Sequence, residues 1–150
     1  MKLYKLANNV IGQANAYDGL GRSYMQLNDL NKAKASFQKA LELNELANNT
    51  LGQGNNYNGL GIIYLKCNEL DKAEATFQKA LELFKLSNDI PGQGNALQGL
   101  GLVQMMRSQL QNAKILFENA LAMHKQAQYA KEQKGDQYYL DKVLYKMSQL

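Results

Sequence analysis

Residues 12–46, "GQANAYDGLGRSYMQLNDLNKAKASFQKALELNEL", overlay residues 52–86, "GQGNNYNGLGIIYLKCNELDKAEATFQKALELFKL", at an offset of 40 without a gap. Of these 35 positions 21 are identical. Residues 92–126 follow at the same offset. Self-similarity at a fixed period means that one supersecondary unit is stacked on copies of itself, so the architecture is a repeat array.

Each copy carries two helical patterns. In the second copy Tyr57, Leu60, Gly61 and Tyr64 recur at i, i+3, i+4 and i+7, the spacing of one helix face. Leu70, Ala73, Phe77, Ala80 and Leu81 make a second such face. Short breaks separate the two, with Asn28, Asn68 and Ser108 as expected N-caps of the second helices. Ser108 and Gln111 have capping-box spacing, and Asn68 is followed by Asp71 near the positive helix end. Asn9, Asn49 and Asp89 are placed to start the first helices, and Pro91 fits a first turn. The expected first helices are 10–26, 50–66 and 90–106, and the second helices 29–47, 69–87 and 109–127. The expected repeats are therefore 10–47, 50–87 and 90–127.

The ends depart from this frame. Residues 3–17 align with 83–97, so Leu3, Tyr4 and Leu6 read as the end of a second helix. On this reading 1–8 is a partial helix of a preceding repeat, and the chain is part of a longer array. Residues 130–149 line up with a fourth first helix that has Tyr139 and Asp141 in place of the two glycines. That helix is expected to cap the stack, with Leu140, Leu144 and Met147 inward.

These residues resemble the tetratricopeptide repeat family, whose pattern is W-x2-L-G-x2-Y, then alanine, A-x3-F and alanine. Tyr17, Leu20, Gly21, Tyr24, Ala33, Phe37 and Ala40 match it, with Tyr in place of Trp. Tyr57, Leu60, Gly61, Tyr64, Ala73, Phe77 and Ala80 match equally well. Leu97, Leu100, Gly101, Gln104, Ala113, Phe117 and Ala120 form a looser third copy, where Gln104 stands for the aromatic that fills the gap between repeats. The resemblance implies an all-α, right-handed solenoid of helical hairpins. The 40-residue period is similar to the long-repeat branch, which includes kinesin light chains and Partner-of-Inscuteable-type adaptors.

Gly-Leu-Gly at 19–21, 59–61 and 99–101 is not a phosphate loop, since no strand precedes it and the third glycine of G-x-G-x-x-G is missing. Each glycine inside a helix costs about 1 kcal/mol relative to Ala, so packing must offset it. Gly21, Gly61 and Gly101 lie beside the inward Leu and are expected to let the two helices of a repeat close. Gly19, Gly59 and Gly99 fall about 200° away around the helix. Two readings of them stay open: the floor of a ligand groove, or relief of crowding between neighbouring first helices.

By the resemblance, that second face lines a concave groove. Its rungs are Asn15, Asn55 and Asn95, then Asp18, Asn58 and Gln98, then Arg22, Ile62 and Leu102, with Tyr138 and Lys142 on the cap helix. Asn offers donors and acceptors to a peptide backbone whatever its sequence, and the apolar band offers pockets. The other reading of the Asn column is hydrogen bonding to neighbouring helix termini. The basic set of a carboxylate clamp is missing from this face.

No catalytic constellation, metal site or cofactor motif stands out. His124 is expected in a solvated position near a helix C-terminus, and Cys67 in a small packing role. Tyr138, Tyr139 and Tyr145 suggest packing more than recognition. Acids and bases are interspersed, so a net charge of +4 is a poor footprint for nucleic acid. No apolar run approaches the roughly 20 residues of a membrane span. One cysteine excludes an internal disulfide framework and fits a cytoplasmic location. The expected function is non-enzymatic capture of an extended or helical partner segment in the groove. The alternatives are a self-associating segment acting through its terminal helices, and a receptor for a short regulatory peptide.

Overall fold

The left-handed backbone residues punctuate the chain every 20 positions. Asn28, Asn48, Asn68, Asn88, Ser108 and Gln128 have φ between 52° and 60°, and no described glycine has positive φ. The computed structural model describes residues 2–150, apart from the side chains of residues 2–5 and 7. It contains α1 (Lys2–Gln26), α2 (Leu30–Leu46), α3 (Thr50–Lys66), α4 (Leu70–Leu86), α5 (Ile90–Met106), α6 (Leu110–Gln126) and α7 (Ala130–Ser148).

All six connections are built alike. Asn28 N–H donates to the Met25 carbonyl and Asp29 N–H to the Tyr24 carbonyl, the paired bonds of a Schellman motif. The same two bonds recur at 48 and 49, 68 and 69, 88 and 89, 108 and 109, and 128 and 129. The residue that closes each motif is also the N-cap of the next helix. Asp29, Asn49 and Asp89 accept from the backbone N–H of Lys32, Gly52 and Gly92.

This corrects the expected capping. Asn28, Asn68 and Ser108 are not N-caps but the left-handed residues that end the first helices. Asp29, Glu69 and Gln109 take the N-cap position, and Glu69 and Gln109 make no side-chain cap bond. The shift by one residue follows from the Schellman bonds, which need a positive φ at the preceding position. Asn tolerates that region better than most residues.

The N-terminal expectation is corrected as well. No break separates residues 2–8 from the helix expected to start at residue 10, because α1 runs continuously through Asn8 and Asn9. Neither residue has the positive φ that Asn48 and Asn88 show before their N-caps. The packing of Leu3 and Tyr4 lies outside the described residues.

Each hairpin closes on small residues and one ring. Ala33, Phe37 and Ala40, and their counterparts Ala73, Phe77, Ala80, Ala113, Phe117 and Ala120, are all buried. A fully buried Phe stabilises the fold by roughly 1.5–3 kcal/mol relative to an exposed one. Helices pack in sequence order, and each first helix also touches the next first helix: α1 on α3, α3 on α5, α5 on α7. No such contact joins α2 to α4 or α4 to α6. The first helices therefore converge on the concave side and the second helices spread over the convex side.

Candidate functional site

Two glycines enclose each of Phe37 and Phe77. A Cβ on Gly61 would lie 2.7 Å from Phe77 Cε1, which is the intra-repeat contact expected of the second glycine. A Cβ on Gly59 would lie 2.8 Å from Phe37 Cε1, in the second helix of the preceding repeat. Gly99 meets Phe77 in the same way. The first glycine thus opens a crowded seam, and the neighbour is the preceding second helix rather than a neighbouring first helix. Gly19 has nothing within 4 Å of its would-be Cβ and is exposed, because no described repeat precedes it. At the C-terminal seam Tyr139 occupies the glycine position and stacks on Phe117, with ring centroids 5.4 Å apart.

The concave side holds a cavity of about 350 Å³ between α3 and α5. Asn58, Ile62 and Leu65 line one wall, Asn95, Gln98 and Leu102 the other, and Phe77 and Gly99 the floor. Its volume falls within the range of ligand sites. The Asn58 Oδ1 is buried there without a hydrogen-bond partner. A buried amide oxygen in that condition costs free energy until a donor reaches it.

The other candidate residues are distributed around this centre. Asn55 is half-buried, Asn15 is exposed, and neither makes a side-chain hydrogen bond among the described residues. Asp18 pairs with Arg22 at 2.6 Å and accepts from Asn56 Nδ2 at 2.9 Å. Tyr138 and Lys142 are exposed on α7, with the Lys142 Nζ 5.7 Å from the Tyr138 ring centroid. Tyr145 is exposed, and Tyr138 packs edge-on against Tyr139.

Asn95 and Gln98 also belong to a polar network beneath the groove. Gln98 Nε2 donates to Asp136 Oδ1 at 2.6 Å, and His124 Nδ1 is hydrogen-bonded to Asp136 Oδ2 at 2.5 Å. His124 Nε2 faces the Asn95 amide at 3.1 Å. His124 and Asp136 have no exposed surface, which overturns the expected solvated position of His124. The last turn of α6 is covered by α7, and Gly94 leaves room for the imidazole. Cys67 is exposed and fills no packing role.

The sequence reading missed Asn44 and Asn56, a buried pair at 2.7 Å, and Asp136. The signal lay in two repeat columns. Asn44, Phe84 and His124 stand in one, and Asn56, Ala96 and Asp136 in the other. Polar faces polar and apolar faces apolar, so the columns change together.

A family model described as tetratricopeptide repeat matches residues 12–86 and 52–126. No curated protein matches the chain. Among solved structures, aspartyl phosphate phosphatase F from Bacillus subtilis superposes with a TM-score of 0.87 at 17% identity. That match covers 93% of this chain and 37% of the phosphatase chain, so this chain spans little more than a third of that structure. The Arabidopsis OM64 TPR domain has a TM-score of 0.67 at 19% identity, covering 89% of this chain and 98% of that domain. The N-terminal domain of stress-induced protein-1 from C. elegans has a TM-score of 0.64 at 21% identity, covering 85% and 97%. At these identities the likeness is one of fold: an all-α helical solenoid.

Proposed function

The chain belongs to the tetratricopeptide repeat family, and from that premise we propose that it is a non-enzymatic interaction module that captures an extended or helical segment of a protein partner on its concave side. The observation that carries this reading is the cavity between α3 and α5, where the unpaired Asn58 Oδ1 sits among Ile62, Leu65 and Leu102. A backbone N–H of a bound segment would satisfy the amide oxygen, while a side chain of that segment would fill the apolar wall. Asn55 adds a further amide on the same helix. Asn95 is already engaged by His124, so it orients the rim more than it reads a ligand.

The test is selection from a random peptide library on the immobilised chain, followed by titration of the selected peptide. Asn58→Ala and Leu102→Ala should each weaken binding by about tenfold, with helicity unchanged. Peptides that bind both variants as tightly as the parent would refute the groove.

A second reading, self-association through the first repeat, is favoured by one contrast. Leu20 is 46% exposed, whereas its counterparts Leu60 and Leu100 are buried by the repeat before them. Light scattering should then show mass rising with concentration, and Leu20→Glu should abolish the rise. A constant monomer mass would dismiss it. A cytoplasmic site of action fits the free, exposed thiol of Cys67.

A further inference from the structure

On the convex side, five columns of the repeat change together at one place. Tyr24 and Tyr64 give way to Gln104, Lys34 to Glu74, and Lys32 and Lys72 to Asn112. Ala35 and Ala75 give way to Ile115, and Ser36 and Thr76 to Leu116. Between α2 and α4 the gap is filled by the Tyr64 ring, which lies between two ammonium groups. Lys34 Nζ is 5.0 Å from its centroid and Lys72 Nζ 5.7 Å.

One repeat further on, between α4 and α6, there is no ring. Gln104 Nε2 donates to Glu74 Oε1 at 2.9 Å, and Arg107 Nη1 donates to Glu74 Oε2 at 2.5 Å. The hydrogen bond to Glu74 is the main reason that the Arg107 guanidinium is held above its ordinary pKa. Both Glu74 oxygens are therefore engaged, and the lysines that faced the Tyr64 ring are gone. A cavity of about 320 Å³ opens in the place of the ring, walled by Leu100, Ile115 and Leu116 beside Gln104 and Asn112. Gln104 is 8% exposed, and its Oε1 has no partner.

We propose that this cavity is a socket for a tyrosine side chain of a protein partner, on the side of the molecule opposite the groove. The occupant matches what fills the same gap one repeat earlier within the chain. Leu100, Ile115 and Leu116 supply the apolar walls that a ring needs. A phenolic hydroxyl supplies the donor that Gln104 Oε1 lacks. An aliphatic side chain would fill the walls and leave that acceptor unpaired. A lysine would bring a charge to a site whose one carboxylate is already neutralised by Arg107.

The test uses p-cresol and toluene as probes of the intact chain, followed by NMR at the Gln104 side-chain amide and the Ile115 and Leu116 methyls. We expect saturable shifts at these groups, with p-cresol at least about fivefold tighter than toluene. Gln104→Leu, which keeps the bulk and removes the acceptor, should make the two probes equal. Gln104→Tyr, which restores the residue of the earlier repeats, should block both. Absence of saturable shifts in the parent chain overturns the proposal. So does toluene binding as tightly as p-cresol, or p-cresol binding undiminished by Gln104→Tyr.

Discussion

The Nδ1 of His124 lies 2.5 Å from Oδ2 of Asp136, and both side chains are fully buried between α6 and α7. At the equivalent step of the other two seams the partners are Asn44 with Asn56, and Phe84 with Ala96. Three repeats and the cap helix thus meet through an amide pair, an apolar pair and an imidazole–carboxylate pair. Slipping the stack by one repeat would set Phe84 against Asp136 and leave a buried carboxylate without its imidazole partner. That penalty opposes the slip, a registry role for buried polar groups.

His124→Phe alone should destabilise the C-terminal seam by about 3–5 kcal/mol, because Asp136 keeps only Gln98 as a partner. Combining His124→Phe with Asp136→Ala reproduces the Phe84–Ala96 seam and should recover most of that loss. Urea unfolding followed by circular dichroism measures both. A double variant as unstable as the single one would show that the pair does not act as a unit.

Gly59→Ala and Gly19→Ala should have opposite signs. The first puts a methyl 2.8 Å from Phe37 in a closed seam and should cost about 1–3 kcal/mol of overpacking. The second meets nothing within 4 Å and should stabilise α1 by up to about 1 kcal/mol through helix propensity. Thermal melts of the two variants are sufficient. Equal effects would mean that the seam relaxes freely.

Ser108 holds φ at 60°, a region that costs an L-residue roughly 1–2 kcal/mol. Ser108→Gly should raise stability by about 0.5–1 kcal/mol, the remainder being lost to added freedom in the unfolded chain. Ser108→Val, β-branched, should lower it. The same pair at exposed Gln111 should show no gain from glycine, since that residue lies inside the first turn of α6.

Much of this protein follows from spacing. The 40-residue offset, the i, i+3, i+4 faces of Tyr57 and Phe77, and the tetratricopeptide residues gave the all-α solenoid and the family without a coordinate. These are local regularities, and a helix face is fixed once 3.6 residues make a turn. The same arithmetic put Asn58 and Ile62 on one face of α3. Periodicity does not say which neighbour covers a face. Tertiary structure decided that Gly59 lies on Phe37 of the preceding hairpin, that Asn28 ends a helix rather than starting one, and that α7 closes over His124. Each of these depends on how one hairpin leans on the next. That angle is set by the packing of rings against glycines across the seam, and no single helix carries it in its own sequence.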